Sequence, residues 1–319
     1  MMEYAIEAEG LVKRYGDKVA LNGVDLEVRA GEVIGVLGPN GAGKTTTVRI
    51  LATLMRPDGG RARVGGHDVV RDPVRVRSLI GLTGQYASVD ETLSAAENLV
   101  LYGRLLNLPR RQAKARAAEL LERFELATEA DRPLRTFSGG MRRRLDLAAS
   151  LVGDARILFL DEPTTGLDPH TRNQLWEVVR GLVHDGSTVL LTTQYLEEAD
   201  QLADRITVVD RGRVVAEGRP GELKRRVGGQ IMHVRPTLPA DLDAVTAILT
   251  ELTGHAPAQD PGAGLVTVPA ADPMLVSALV RRLESAGITA DELGLRLPSL
   301  DEVFLALTRQ DAGTRRVAA

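Results

Sequence analysis

The segment GPNGAGKT, residues 38–45, has the residue types and spacing of a phosphate-binding loop, G-x-x-x-x-G-K-[ST]. Phosphate oxygens need several donors, and Gly41 and Gly43 let the backbone curl so that N–H groups point inward, at the N-terminus of a helix. Lys44 supplies positive charge for β- and γ-phosphates, and Thr45 supplies a hydroxyl ligand for Mg²⁺. The alternative is a chance glycine-rich turn, which the flanking strand and helix patterns disfavour.

A second chemical motif is ILFLDE, residues 157–162, in which two carboxylates follow four apolar residues. A buried strand of this kind delivers its last residues to the carboxyl edge of a parallel sheet, where ligands bind. We expect Asp161 to hold Mg²⁺, directly or through a water, and Glu162 to orient and deprotonate the attacking water. A strand that ends in Asp-Glu is weak support alone, but downstream of a phosphate loop it predicts nucleotide hydrolysis.

Buried strands and helices alternate around these motifs, which predicts an α/β fold with a mainly parallel core sheet. The predicted buried strands are GEVIGVLG (31–38), ARILFLDEP (155–163) and STVLLTTQ (187–194). The predicted helices are 43–55, 112–124, 141–152, 171–184 and 196–203. The N-terminal segments YAIEAEGLVKRYG and VALNGVDLEVRAGE alternate with period two, which predicts a small antiparallel sheet at one side.

A domain boundary is expected in VGGQIMHVRPTLP, where glycines precede a short strand and prolines follow it. Beyond it, strand and helix patterns alternate three times, in a segment long enough for a small core of its own. We therefore assign residues 1–228 to a nucleotide-binding domain and 229–310 to a small α+β accessory or regulatory domain. Residues 311–319 are expected to form a flexible tail.

The last predicted helix begins with a capping box, with Ser299 at the N-cap and Glu302 three residues later. Leu300, Val303, Phe304 and Leu307 would share one face of this helix. That face either packs on its own domain or docks another subunit, and the sequence leaves both open.

Composition excludes several classes of protein. The 319 residues are 44% hydrophobic and 26% charged, with a net charge of −3, so no overall basic field points to nucleic acid. The chain has no Cys, which excludes disulfides and Cys-ligated metals. The first residues show no secretory signal, and no apolar run is long enough to span a bilayer, so a membrane role is expected to come through a partner.

The segment FSGGM, residues 137–141, resembles the LSGGQ signature of ATP-binding-cassette (ABC) ATPases, in the expected order before Asp161 and Glu162. The resemblance implies a P-loop cassette with a mixed core sheet, an antiparallel β subdomain and an α-helical signature subdomain, extended here by the C-terminal α+β domain. In this family the signature contacts the γ-phosphate bound by the other protomer. One chain carries one loop and one signature, so two ATP sites require a homodimer or heterodimer. The alternative is a helix-capping Ser-Gly-Gly turn.

Further positions match the family residue by residue. Tyr15 resembles the aromatic that stacks on adenine, although an isolated Tyr is usually packing. Gln85 resembles the glutamine whose amide reaches Mg²⁺ and the water, and it also marks the segment that couples to a transmembrane partner. In TTGLDP, Asp168 resembles the carboxylate that senses the opposite site. The implied ATP-binding residues are Tyr15, Gly38, Pro39, Asn40, Gly41, Ala42, Gly43, Lys44, Thr45, Thr46, Ser138, Gly139, Gly140 and Asp168.

Two positions depart from the family pattern. Met141 replaces the last glutamine of the signature, and we expect a small effect because the serine and glycine donors bear most of the phosphate contact. Gln194 stands where the family usually has a histidine that donates to the γ-phosphate. Glutamine keeps a neutral donor but cannot carry positive charge. It either substitutes for histidine in catalysis, leaves a site that binds ATP and hydrolyses it poorly, or faces solvent without a role.

The segments TTQYLEEADQLADRI and PSLDEVFLALT resemble the ATP-binding subunits of daunorubicin/doxorubicin-resistance exporters. That resemblance implies ATP-driven export of a hydrophobic drug through a separately encoded transmembrane permease, with the chain at the cytoplasmic face of the cell membrane. The permease would contact the chain around Gln85 to Glu91, with Tyr86, Ala87, Ser88 and Val89 against one of its cytoplasmic helices. An ordinary exposed loop is the alternative for these four residues. The alternatives are a soluble cassette ATPase acting on ribosomes or DNA, and an ATP-binding regulator with little turnover.

Overall fold

The computed structural model describes residues 4–84, 89–227, 230–270, 272–300 and 302–303. The chain divides into two compact units, Met1–Arg219 and Pro220–Ala319. This division lies slightly before the predicted domain boundary at residues 228 and 229.

The first unit is an α/β unit with two sheets. Its strands are β1 (Tyr4–Tyr15), β2 (Lys18–Arg29), β3 (Val33–Leu37), β4 (Gly59–Val64), β5 (His67–Asp68), β6 (Ile80–Thr83), β7 (Ile157–Asp161), β8 (Thr188–Thr193), β9 (Arg205–Asp210) and β10 (Arg213–Gly218). Its helices are α1 (Lys44–Leu51), α2 (Pro73–Arg77), α3 (Ala95–Leu105), α4 (Arg110–Arg123), α5 (Gly139–Ser150), α6 (Pro169–His184) and α7 (Leu196–Leu202).

The core sheet has the order β10-β9-β3-β8-β7-β6. All neighbours are parallel except the edge pair of β9 and β10, so the sheet is mixed as expected. Every residue of β3, β7 and β8 is buried. Parallel strands covered on both faces read as continuous apolar runs, which is why these three strands could be found in the sequence.

Two further layers surround this core sheet. Strands β2, β1, β4 and β5 form an antiparallel sheet, which confirms the interpretation of the N-terminal period-two pattern. Its buried side chains pack with those of α1 and one set of core-strand residues. A second set of core-strand side chains packs with apolar side chains of α3 to α6. Among these helix residues, Leu99, Leu120 and Leu145 are fully buried.

The second unit is α+β. Its elements are α8 (Pro220–Val227), β11 (Gln230–Pro236), α9 (Leu242–Thr253), β12 (Ala258–Asp260), β13 (Leu265–Ala270), α10 (Leu275–Ser285) and β14 (Ala290–Arg296). The strands form an antiparallel sheet in the order β12-β13-β11-β14. A β-α-β-β-α-β chain with this order is the split βαβ arrangement of ferredoxin-like units. Its core joins alternate side chains of β11 and β13 to α9 and α10.

The expected capping box at Ser299 is confirmed. The Ser299 N–H donates to Glu302 Oε2 at 2.6 Å, and the Glu302 N–H donates to Ser299 Oγ at 3.2 Å. Leu300 and Val303 are buried. Phe304, Leu307 and the tail 311–319 lie outside the described residues. Within the part of the chain that the structure describes, each helix is too short or too polar to cross a lipid bilayer.

Candidate active site

The phosphate loop joins the carboxyl end of β3 to the N-terminus of α1. Gly41 and Gly43 have φ values of 82° and 113°, in the region that favours glycine, and Gly43 is the N-cap of α1. A Cβ on Gly43 would lie 2.6 Å from Leu21 Cδ2 and 2.8 Å from the Ala20 carbonyl oxygen. The loop therefore depends on glycine here for both its backbone conformation and its packing.

Lys44, the first residue of α1, is almost completely buried inside this loop. Its Nζ donates to the carbonyl oxygens of Gly38 at 2.7 Å and Pro39 at 3.3 Å. It also lies 3.4 Å from Glu162 Oε1. The ammonium group is thus fixed at the mouth of the loop, where a bound phosphate would meet it.

Asp161, the last residue of β7, lies beside α1. Its Oδ1 accepts hydrogen bonds from Thr45 Oγ1 at 3.2 Å and from Thr192 Oγ1 at 2.5 Å. Thr192 is paired with Asp161 across the parallel strands β7 and β8. Thr192 was not predicted as a site residue, although the two threonines at the end of this apolar strand were a visible signal in the sequence.

Glu162 follows β7 in a left-handed backbone conformation, with φ of 52°. Its N–H donates both to the Thr192 carbonyl oxygen at 3.0 Å and to Thr192 Oγ1 at 3.1 Å. Residues other than glycine occupy this region at an energetic cost, and only where their surroundings hold them there. The carboxylate is thereby aimed at Lys44, at the carboxyl edge of the sheet.

A cavity of about 400 Å³ opens over the phosphate loop. This volume is typical of small-molecule sites. Its lining residues are Tyr15, Lys18, Ala20, Pro39, Asn40, Gly41, Gly43, Lys44, Thr45, Thr46 and Glu162. The cavity brings the expected adenine-stacking Tyr15 together with the phosphate loop and the expected base. Tyr15 is half exposed, and its hydroxyl lies 3.0 Å from Met55 Sδ.

The signature segment begins α5 as expected. Ser138 is the N-cap, and its Oγ accepts a hydrogen bond from the Met141 N–H at 3.2 Å. Ser138 and Gly139 are exposed, whereas Gly140 is buried against α6. A Cβ on Gly140 would lie 2.1 Å from Thr171 Cγ2, so helix packing alone already requires glycine at this position.

Three other predicted site residues, Asp168, Gln194 and Gln85, are not among the described residues that line the cavity. Asp168 is exposed and caps α6, because its carboxylate accepts from the Thr171 N–H at 3.0 Å and from Thr171 Oγ1 at 2.6 Å. These bonds, led by the one from the Thr171 hydroxyl, lower the pKa of Asp168. Gln194 directly follows β8 and is exposed. Gln85 lies outside the described residues.

A buried carboxylate that the sequence analysis missed lies behind the site. Glu198 of α7 is fully buried, and its Oε1 accepts from Trp176 Nε1 at 3.2 Å. Burial raises the pKa of the Glu198 carboxyl, and this rise is opposed by the polar side chains of Thr193, Thr164 and Trp176 and by the charge of Arg143. The signal available in the sequence was an acidic residue on the apolar face of a short helix.

We expect Glu198→Gln to stabilise the chain near pH 8 by about 1 kcal/mol, because an amide has no charge to desolvate. In the unfolded chain the Glu198 carboxyl has a pKa of about 4.3, so above that pH the native carboxyl binds more protons than the unfolded one. The free energy of unfolding of the wild type therefore falls as the pH rises toward the raised native pKa. The advantage of the variant should therefore grow with pH, which thermal unfolding at about pH 5 and about pH 8 measures.

Glu197→Gln is the matched control for this prediction. Glu197 neighbours Glu198 but is exposed, and it pairs with Arg172 at 2.8 Å. Exposed ion pairs contribute little to stability, so this variant should show no growing advantage. An equal response of the two variants to pH would contradict the assignment to Glu198.

Comparison with known proteins agrees with this geometry. The ABC transporter family model matches residues 21–165. The daunorubicin resistance ATP-binding protein DrrA3 of Streptomyces coeruleorubidus is 56% identical over 100% of both chains. The daunorubicin/doxorubicin resistance ATP-binding protein DrrA of Streptomyces peucetius is 52% identical, over 98% of this chain and 94% of that protein.

A solved structure shares the fold of the first unit. It is a dimeric, post-hydrolysis state of the ATP-binding cassette MJ0796 bound to ADP and Pi. It is 27% identical, covers 67% of this chain and 98% of its own, and has a TM-score of 0.60. The chain therefore belongs to the ABC transporter family, as an ATP-binding, ATP-hydrolysing subunit of the daunorubicin/doxorubicin-resistance type.

Proposed function

We propose that the chain is the motor subunit of a bacterial exporter, in which ATP hydrolysis drives a hydrophobic drug through a separate transmembrane permease. The identity of 56% over the full length of a daunorubicin resistance ATP-binding protein carries this proposal. The likeness includes the C-terminal unit, which the family model for the cassette does not cover. In this role the chain works at the cytoplasmic face of the membrane.

The residues that line the cavity have separate roles in ATP binding and hydrolysis. Tyr15 stacks on adenine, the loop from Gly38 to Thr46 holds the phosphates, and Lys44 neutralises the β- and γ-phosphates. Glu162 takes the proton of the attacking water. In the geometry described, the carboxylate of Glu162 faces the Lys44 ammonium at 3.4 Å, so a bound γ-phosphate would lie next to both groups.

The oxygen donors at the loop suit Mg²⁺. Thr45 Oγ1 and Asp161 Oδ1 lie 3.2 Å apart. Adjacent oxygens around octahedral Mg²⁺ are roughly 2.9 Å apart, and this ion usually keeps only one or two protein ligands beside phosphates and waters. Thr45, Asp161 and Gln85 would hold the ion, which supplies charge neutralisation at the phosphates.

A second cassette completes each ATP site in this proposal. Ser138, Gly139, Asp168 and Gln194 are all exposed, as residues that face another protomer must be before the two chains meet. The free N–H groups at the start of α5 suit an anion. ATP closes a homodimer, or a heterodimer with a related cassette, because the closed state binds it better, and hydrolysis reopens the dimer.

The membrane partner would dock beside the segment from Gln85 to Glu91. Residues 85–88 of that segment lie outside the described residues. A cavity of about 890 Å³ lies close by, between α3 and α4, and Val100, Leu101 and Ala118 line its apolar part. A helix of the partner would bury these side chains, in the manner of helix-in-groove recognition.

Co-purification tests the exporter proposal. Tagged full-length chain, recovered from gently solubilised cells, should carry a polytopic membrane protein with it. Recovery with ribosomes or DNA, and never with a membrane protein, would overturn the proposal.

The side chain of Gln194 gives a separate prediction. If its amide donates to the γ-phosphate, Gln194→Ala should lower kcat for ATP hydrolysis by an amount equivalent to about 1–3 kcal/mol, whereas Gln194→His should leave it largely intact. Steady-state ATP hydrolysis measures both. An alanine variant with unchanged kcat would show that the side chain does not touch the phosphate.

A further inference from the structure

Arg143 joins α5 to two other segments of the site through their main-chain carbonyl groups. Its Nε donates to the Pro163 oxygen at 2.6 Å, and its Nη1 donates to the Gly84 oxygen at 2.7 Å. Its Nη2 donates to the Glu162 oxygen at 3.2 Å and to the Asp161 oxygen at 3.4 Å. One side chain therefore contacts every carbonyl group from Asp161 to Pro163.

The guanidinium group is buried, and its side chain is only 11% exposed. Burial lowers the pKa of Arg143, and the charges of Asp146, Glu198 and Asp161 oppose this. Its carboxylate contact, Asp146 Oδ2, is the longest of these contacts at 3.5 Å. The planar guanidinium group therefore donates mainly to carbonyl oxygens, and a lysine ammonium cannot donate to all of them with the same geometry.

Three of the carbonyl groups that accept from Arg143 belong to the turn at residues 161–163, whose backbone is strained. Glu162 has a φ of 52°, which an L-residue adopts only when its neighbours hold it. Thr192 holds the N–H side of Glu162, and Arg143 holds the carbonyl side. The Thr165 N–H also donates to the Glu162 carbonyl oxygen, at 3.4 Å. Without Arg143, this longer bond would be the described contact left on the carbonyl side.

We propose that Arg143 is a positioning residue for ATP hydrolysis, which keeps Glu162 in its left-handed conformation and so aims its carboxylate at the site. This inference rests on the proposed role of Glu162 as the base. Arg143 also holds Gly84, the residue before Gln85, and stands on the helix that Ser138 begins. The base, the segment of Gln85 and the signature helix are thereby tied to one guanidinium group.

The test compares Arg143→Ala and Arg143→Lys in the full chain with Arg144→Ala. Arg144 is a matched control, since it is the next residue of α5, is 16% exposed, and donates to the Phe124 oxygen at 3.3 Å, away from the turn. The readouts are kcat for ATP hydrolysis per folded chain and the Kd for ATP. Added guanidinium ion is then tested for rescue of Arg143→Ala.

We expect Arg143→Ala to lower kcat about 100-fold with little change in the Kd for ATP, since a displaced catalytic group costs rate and not binding. Arg143→Lys, which keeps the charge and the aliphatic stem, should fold and lose about tenfold. Guanidinium ion should restore part of the kcat of the alanine variant. Arg144→Ala should keep the wild-type kcat.

Wild-type kcat in a folded Arg143→Ala or Arg143→Lys chain would overturn the inference. Equal losses in the Arg143 and Arg144 variants, without guanidinium rescue, would also overturn it, because they would indicate a general structural role. Glu162→Gln is measured beside them. Full turnover by that variant would remove the proposed role of Glu162, whereas full turnover by the Arg143 variants alone would remove only the positioning role.

Discussion

Glu162→Gln should lower kcat for ATP hydrolysis by about 10²–10⁴-fold and leave ATP binding intact. Glutamine has the shape of glutamate, and its amide oxygen can still face Lys44, which lies 3.4 Å from Glu162 Oε1. It cannot accept a proton from water at neutral pH, so the general base is lost while the cavity is preserved. Single-turnover hydrolysis and equilibrium ATP binding, measured on the same protein, separate the two effects.

The control for this variant is Glu197→Gln, which makes the same chemical change at an exposed position outside the cavity. It should hydrolyse ATP at the wild-type rate. If Glu162→Gln also kept the wild-type rate, Glu162 would not be the base.

The second large effect is expected for Lys44→Ala, which should weaken ATP binding by about 100-fold or more. Lys44 is buried within the loop and held by the Gly38 and Pro39 carbonyl oxygens. Its removal takes the positive charge from the phosphates. It also leaves the Glu162 carboxylate, which is only 10% exposed, next to them without its cation. Binding of a fluorescent ATP analogue measures the loss.

Lys114→Ala is the control for the loss of one positive charge, because Lys114 is exposed on α4 and lies outside the phosphate-loop cavity. It should bind ATP as the wild type does. Nucleotide affinity that fell equally in both variants would mean that overall charge, and not the position of Lys44, governs binding.

The core of the fold could be predicted because its strands are covered on both faces. Strands β3, β7 and β8 lie within the three segments that their apolar runs predicted. Edge strands such as β10, only partly buried, left no comparable run and were missed.

The predicted starts of two helices were less accurate, because of the residue types in their first turns. Helices α5 and α6 each begin two residues before their predicted starts, at Gly139 and Pro169. Glycine and proline disfavour helix interiors, so they count against a helix in a pattern. Both are tolerated in a first turn, where Ser138 and Asp168 cap the free N–H groups.

Some residues of the candidate site could be predicted from the sequence and others could not. Lys44, Thr45, Asp161 and Glu162 lie in contiguous motifs whose spacing carries the chemistry. Arg143 acts through carbonyl groups of a turn on a different element, and a sequence pattern contains no information on such contacts.

The same limit applies to the backbone of Glu162. Its left-handed conformation depends on Thr192, which reaches it only because β7 and β8 are neighbours in one register. Strand register is a property of the folded sheet, so the turn could not be found from its own residues.

In the proposed function, ATP hydrolysis by this chain drives drug export. The most direct test is ATP-dependent accumulation of a hydrophobic drug, with doxorubicin as the probe, in inside-out membrane vesicles that contain the full chain and the membrane protein that co-purifies with it. Vesicles with the wild-type chain should accumulate the drug when ATP is added, and vesicles with Glu162→Gln should not. Equal ATP-dependent accumulation by both would contradict the claim.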